Sequence, residues 1–360
     1  MPKKNKKRIG FLSYFGWGRG QAYVTLCYAK MLLPEYDVFI LKQGTNAITH
    51  EFDVDVEITE NDGYNVTPET FKIWVEKNKL DAVVFNEYKQ WDNDNGNNLV
   101  KLTKELGAKA YGYLVWERFT EKDDYSDYDR IIAPTISMKR FLRGQKVRKF
   151  VYLPYSIDLE SIPVFEESQY ENFTFFHPGG WGGVHNRKNT DVVIKAFELL
   201  KNDFPDVELV ITSQKKLDTT NLPEGVKIIN GDLDKTEIFK LFHQTHMTVL
   251  PSKWETVGLP IVESLAMGRP VITVNIPPMN EFIREGQNGY LVYPEMRSYP
   301  DIMIMAAEVD PESLKNKMEV SMNKYLYDLL VKNSKHIVED LYNLAKNKKY
   351  FLDFLERDLK

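Results

Sequence analysis

Pro251-Ser-Lys-Trp-Glu255-Thr-Val-Gly258-Leu-Pro260-Ile-Val-Glu263-Ser-Leu-Ala-Met-Gly268-Arg-Pro270-Val271 lies between two short apolar runs, Met247 to Leu250 and Val271 to Val274. The first run stops at Pro251, as a buried strand does where a loop begins. Pro260 presets φ for the first turn of a helix, and Gly268 ahead of Arg269-Pro270 ends it. The order strand, loop, short helix, strand is one unit of a parallel α/β sheet. On the helix, Ile261, Val262, Leu265 and Ala266 share one side at 3.6-residue spacing, which leaves Glu263 and Ser264 on the other. Glu263 is therefore expected to point away from the packed face. Glu255 falls in the loop at the carboxyl end of the strand, where open α/β sheets hold their ligands, so the two carboxylates are expected at one rim. Gly258 between them gives access to backbone N–H groups, and these with the positive helix end suit a phosphate. Each carboxylate also has an ordinary use, Glu263 against the helix dipole and Glu255 in solvent.

The chain has 360 residues, too many for one ordinary core, and its length favours two domains. Its 43% hydrophobic and 28% charged residues are those of a soluble globular protein. A net charge of −5 gives no reason to expect nucleic acid as a partner. The single cysteine, Cys27, excludes an internal disulfide and fits a reducing, cytoplasmic compartment, and its place among Val24, Leu26 and Met31 marks it as a buried filler. No apolar run reaches the length of a membrane span. The basic start Lys3-Lys4-Asn-Lys6-Lys7-Arg8 reads either as a solvated terminus or as a weak peripheral contact with anionic lipid.

Arg8 to Tyr14 is a strand that enters Phe15-Gly16-Trp17-Gly18-Arg19-Gly20 and then a helix from Gln21 to Leu33. Strand, glycine loop and helix start form a device for holding an anion, or simply a tight turn. The glycine spacing is not that of the dinucleotide fingerprint. Strands at Val38 to Lys42, Ala82 to Asn86 and Ala110 to Trp116 alternate with helices at Phe71 to Asn78 and Leu99 to Leu106, so the first half reads as a parallel Rossmann-like sheet. The polar stretch Glu166 to Asn172 breaks the periodicity and places a domain boundary nearby.

The second half restarts with strand Phe173 to His177. A loop Pro178-Gly-Gly-Trp-Gly-Gly-Val-His185-Asn-Arg187-Lys188-Asn189 follows, then helix Thr190 to Asn202. The glycines carry two cations to a helix start, in a loop able to close on a diphosphate. Arginine suits bidentate phosphate contact and lysine acts as a point charge. His177, His185, His243 and His246 lie on different elements without ligand spacing, and Asp53-Val-Asp55 lies in the other half from these loops, so no metal is expected.

Glu255-Thr-Val-Gly258-Leu-Pro-Ile-Val-Glu263, followed by Ala266-Met-Gly268-Arg-Pro270-Val and Glu281-Phe-Ile-Arg-Glu-Gly286-Gln-Asn-Gly289-Tyr-Leu-Val, resembles the Glu-x-x-Gly-x-x-x-x-Glu signature of the retaining GT-B glycosyltransferases, specifically glycosyltransferase family 4. The resemblance implies an α/β chain of GT-B architecture, two Rossmann-like domains facing a cleft. It implies an acceptor domain over 1–156, a nucleotide-sugar donor domain over 157–340, and a terminal helical segment, 341–360, returning to the first domain. The implied reaction moves a hexose from a UDP- or GDP-sugar to a glycan, lipid or protein-linked acceptor with retention, without cofactor or metal. By this resemblance Glu263 holds the donor ribose, Glu255 the hydroxyls of the transferred sugar, and Thr256, Val257, Gly258 and Leu259 its oxygens or phosphates. Lys188 aligns with the diphosphate-contacting lysine, and Arg187 stands near the family's separate arginine, whose own position falls among the glycines. Leu233 matches the region that packs the base, and Gly16 and Gly18 the loop near diphosphate and acceptor. Trp116 and Glu117 stand where many members carry a histidine that is missing here. Two other readings keep the same residues: a nucleotide-sugar 2-epimerase of GT-B shape, and a non-catalytic sugar-binding protein using Tyr14, Trp17, Trp91 and Trp116.

Overall fold

The structure, a computed structural model, describes the chain except residues 1–5, 16–19, 45–53, 62, 64, 88–97, 116–124, 167–168, 219 and 301–303. The chain divides into two compact units, Met1–Ser156 with Leu344–Lys360, and Ile157–Asn343.

In the first unit β1 (Arg8–Tyr14), α1 (Gly20–Leu32), β2 (Asp37–Gln43), β3 (Glu57–Thr59), α2 (Pro68–Asn78), β4 (Ala82–Asn86), α3 (Leu99–Glu105), β5 (Lys109–Tyr113), β6 (Arg130–Ala133), α4 (Ile136–Gly144) and β7 (Phe150–Tyr152) follow in order. The strands form a parallel seven-stranded sheet, β3-β2-β1-β4-β5-β6-β7. Local chemistry sets the helix limits. Thr67 accepts the Thr70 N–H at 3.2 Å and Pro68 occupies the first turn, so α2 starts before the apolar period that announces it. One core gathers Leu12, Leu41, Phe71, Trp74, Val83, Phe85, Tyr128, Ile131 and Leu142, each worth about 1.5–3 kcal/mol when fully buried.

The second unit runs β8 (Thr174–Gly180), α5 (Thr190–Asp203), β9 (Glu208–Ser213), β10 (Val226–Asn230), α6 (Lys235–Gln244), β11 (Met247–Leu250), α7 (Leu259–Ala266), β12 (Val271–Val274), β13 (Gly289–Val292), β14 (Glu295–Arg297), β15 (Ala306–Glu308), α8 (Pro311–Ser321) and α9 (Lys324–Leu341). Its six-stranded parallel sheet has the order β10-β9-β8-β11-β12-β13, with β14 and β15 as a separate antiparallel pair. β8 does not stop at His177 but continues through Pro178 to Gly180, because its pairing with β9 shifts register between Pro178 and Gly180 and so accommodates the missing N–H.

The last helix, α10 (Leu344–Asp358), belongs to the first unit. Its Phe351 and Phe354 rings lie 5.7 Å from Tyr28 and 5.8 Å from Tyr111, and Asp358 takes the Tyr111 hydroxyl at 2.8 Å. α1 is therefore covered on both sides, and nine of its residues are buried. Cys27 is one of them, its thiol 3.1 Å from the Ser156 carbonyl. A terminal segment starting at 341 begins too early: Leu341 closes α9, and Tyr342 and Asn343 stay with the second unit, where Tyr342 O accepts the Ile157 N–H at 2.7 Å. No helix among the described residues is long and apolar enough to cross a membrane. Of the basic start, residues 3–5 lie outside the described residues; Lys7 pairs with Asp81 at 2.8 Å and Arg8 lies over the Phe39 ring.

Candidate functional site

In the second unit the strand order reverses between β8 and β11, so the segments leaving their carboxyl ends flank the crevice where open sheets hold ligands. These are the 181–189 loop and the 251–258 loop. They are sewn together: Asn189 Nδ2 donates to Pro251 O at 2.7 Å, and the Lys253 N–H to Arg187 O at 2.7 Å. Asn189 itself is buried and left-handed, with φ 55°. A chain forced into that conformation turns sharply, which brings the two preceding cations back over the second loop.

There they meet Glu255, only 5% exposed. Arg187 Nη1 donates to Glu255 Oε2 at 2.8 Å and to Trp254 O at 3.2 Å, and Lys188 Nζ donates to Glu255 Oε1 at 2.5 Å. Burial alone would push the Glu255 carboxyl up. The charges of Arg187 and Lys188 outweigh it and hold the group at about 2, so it is ionised throughout the physiological range. Two cations thus meet on one carboxylate, with the Lys188 side chain 9% exposed and the Arg187 side chain 23%. Cations held in a poorly solvated place act strongly on a charge brought beside them. A third cation of the loop, Lys253, turns instead to Glu308 at 2.9 Å and the Tyr299 hydroxyl at 3.0 Å.

The Arg187 side chain folds against Gly183, where an added Cβ would stand 2.9 Å from Arg187 Cβ and 3.0 Å from Nε. An arginine placed later in the loop thus reaches back along the glycines. His177 beneath is fully buried between Val249 O at 2.8 Å and Thr190 Oγ1 at 2.9 Å; burial, reinforced by Lys188, lowers it to about 4 and keeps it neutral.

Glu263 departs from the sequence reading. It is 4% exposed, not turned away from the packing, and Ser264 is buried too. α7 is enclosed on both sides: Ser264 Oγ donates to Thr248 Oγ1 of β11 at 2.7 Å, while α6 and α9 pack alongside. Glu263 is paired with Lys235, the first residue of α6, rather than sharing the cations of Glu255. The signal for Lys235 was in the sequence. Asp234 and Glu237 form a capping box that starts α6 at Lys235 and so sets that lysine in its first turn.

Gly258 adopts φ 82° immediately before α7, a conformation that strains any side chain, and Val257 beside it is buried. Thr256 and Leu259 are half-buried, and Leu233 packs against the cluster of Phe176, Phe239 and Phe242. The first-half candidates Gly16, Gly18, Trp116 and Glu117 lie outside the described residues.

Residues 182–311 match the family model described as Glycosyl transferases group 1, a span that contains Arg187, Lys188, Leu233, Glu255 and Glu263. The whole chain superposes on a glycosyltransferase crystal structure from Rickettsia africae with a TM-score of 0.76 at 16% identity, covering 99% of this chain and 100% of that one. Anabaena HepE, solved with UDP and glucose, gives 0.73 at 13% identity, covering 98% and 100%. The chain has the fold of the GT-B glycosyltransferases. Within this GT-B chain the sequence similarity to curated relatives is partial. An uncharacterized glycosyltransferase of Sulfolobus islandicus rod-shaped virus 1 is 29% identical over 125 residues, 33% of this chain and 37% of the relative. Glycogen synthase of Mycobacterium tuberculosis is 32% identical over 103 residues, 27% of this chain and 24% of the relative. The chain thus spans well under half the length of these two curated relatives.

Proposed function

We propose that the protein is a retaining glycosyltransferase of family 4 that moves a hexose from a UDP- or GDP-sugar to a carbohydrate-containing acceptor, on a glycan, lipid or protein, in the cytoplasm and without a metal. The observation that supports the reading is the Arg187–Glu255–Lys188 group, in which a buried carboxylate holds two cations side by side in the loops at the carboxyl ends of β8 and β11. A diphosphate leaving group gains negative charge as its bond to the anomeric carbon breaks, and preorganised cations lower the barrier most where charge develops. Arg187 and Lys188 take that part, with Arg187 in place of an arginine from the glycine stretch. The acceptor hydroxyl attacks the anomeric carbon from the face the diphosphate leaves, and its proton passes to a diphosphate oxygen. Glu255 does not act as a nucleophile: both its oxygens accept from cations, and its role is to hold them and the hydroxyls of the sugar. Glu263 accepts from the ribose hydroxyls beside Lys235. The amides around Val257 to Leu259 meet donor oxygens, and Leu233 lines the base.

Thermal unfolding with UDP-glucose, UDP-N-acetylglucosamine, GDP-mannose and the free diphosphates tests the donor class. A true donor at about 100 times its dissociation constant adds about 2.7 kcal/mol of stability. The Glu263→Ala variant should lose most of that shift; no shift with any of the panel, or an undiminished one in the variant, refutes the assignment. Product analysis with and without acceptor separates transfer from epimerisation, which needs none.

A further inference from the structure

β14 and β15 form a sheet of their own, outside the six-stranded sheet of the second unit. They are fastened instead to the charged site. The Ala307 N–H of β15 donates to Lys253 O at 2.9 Å, and the Lys253 N–H donates in turn to Arg187 O at 2.7 Å, so main-chain bonds run from β15 through the 251–258 loop to the 181–189 loop. Side chains make a second fastening. Lys253 Nζ donates to Glu308 Oε1 of β15 at 2.9 Å and to the Tyr299 hydroxyl at 3.0 Å, and that hydroxyl donates to Glu308. The Tyr299 ring meets the other loop: its centre lies 4.6 Å from that of His185, with the planes 30° apart, and the Arg297 guanidinium lies over it at 5.6 Å. Tyr299 thus touches both loops, each time two residues before a member of the Arg187–Glu255–Lys188 group. His185 and Asn186 are held left-handed, at φ 52° and 50°, ahead of the left-handed Asn189. Non-glycine residues stay in that region only where their surroundings over-determine it, and a ring packed on the first of them is such a constraint.

We propose that Tyr299 is a positioning residue for the leaving-group cations: packed on His185 and bonded to Lys253, it fixes the 181–189 and 251–258 loops relative to each other and so sets where Arg187 and Lys188 stand. This rests on the transferase reading of the site. Cations act on a developing charge through distance and direction, and a loop with three left-handed non-glycine residues drifts when one of its constraints is removed. The loss therefore falls on turnover more than on donor binding, which in that reading draws also on Glu263 and on the amides around Gly258. A tyrosine that served folding alone would lower the melting temperature and leave kcat of the folded protein unchanged.

The test measures nucleoside diphosphate release by the full chain, with UDP-glucose, UDP-N-acetylglucosamine and GDP-mannose as donors and p-nitrophenyl glycosides as acceptors, below the melting temperature of every variant. Tyr299→Ala, and Tyr299→Leu, which fills space without an aromatic face, should each lower kcat at least tenfold and change donor KM less than threefold. Tyr299→Phe, which restores the ring, should regain kcat to within threefold of wild type. His185→Ala should lose as much as Tyr299→Ala, and the double variant no more than either, because both remove one contact. Wild-type kcat in folded Tyr299→Ala or Tyr299→Leu, a change confined to donor KM, equal losses in Tyr299→Phe and Tyr299→Ala, or losses that multiply in the double variant overturn the proposal and leave the transferase reading standing. A wild-type protein that neither releases nucleoside diphosphate nor transfers sugar with any donor of the panel overturns both.

Discussion

The ends of β8 and β11 and the ends of β1 and β4 are the same place in two sheets wound in the same sense, yet they are furnished oppositely. In the second unit two cations close on one buried carboxylate. In the first, the buried Ser13, Thr25 and Asn86 are joined by hydrogen bonds and carry no charge. Topology decides where a crevice opens; the side chains at its floor decide which ligand it favours. A net charge in a poorly solvated place selects a counter-charge, while a neutral network selects hydrogen-bonding groups of definite geometry.

The largest expected effect breaks the charged side of this contrast. Lys188→Ala should lower kcat for nucleoside diphosphate release by about 10²–10³-fold, the usual loss when one preorganised donor to developing charge is removed. A variant that is folded by circular dichroism and turns over like wild type would show that this crevice does not stabilise a leaving group.

Next comes stability against pH. The Glu255 carboxyl is held at about 2, below its ordinary 4.5, so its ion pairs contribute fully above pH 4.5 and lose their contribution as pH falls towards 2. A depression of that size is worth about 3 kcal/mol. Urea unfolding of wild type and Glu255→Gln should therefore differ by about 3 kcal/mol at pH 7, and the gap should narrow below pH 4.5. A constant gap from pH 7 to pH 3 would mean that the pairing is not electrostatic.

The smallest effect probes the neutral side. Thr25→Val removes the hydroxyl shared by Ser13 and Asn86 and should cost about 1–3 kcal/mol, the penalty for buried polar groups left unmatched. Because this network carries no charge, the penalty should be equal at pH 7 and pH 4 in the same urea titration. A pH-dependent penalty would undo the contrast between the two crevices.

Much of this was legible beforehand where local rules act. Pro260 and Gly268 bracket α7, and the apolar runs at Met247–Leu250 and Val271–Val274 are β11 and β12. Those features arise from backbone sterics and from periodicity, which a short window of sequence carries whole. Short strands such as β3, β14 and β15 were not legible, since three residues have no period to read. Nor was the burial of Glu263. Helix periodicity assumes one wet side, and α7 has none, because α6 and α9 close over the side away from the sheet.

By itself, then, the sequence determined the alternation of strands and helices, the glycine-rich turns, and the presence of two carboxylates and two cations at loop ends. Only the tertiary structure decided how they pair. Lys188 and Glu255 are 67 residues apart and Lys235 and Glu263 are 28 apart, so their meeting depends on which strands lie side by side. Local chemistry is written in neighbours along the chain, whereas an ion pair depends on distance in space, and strand order alone brings these groups within it.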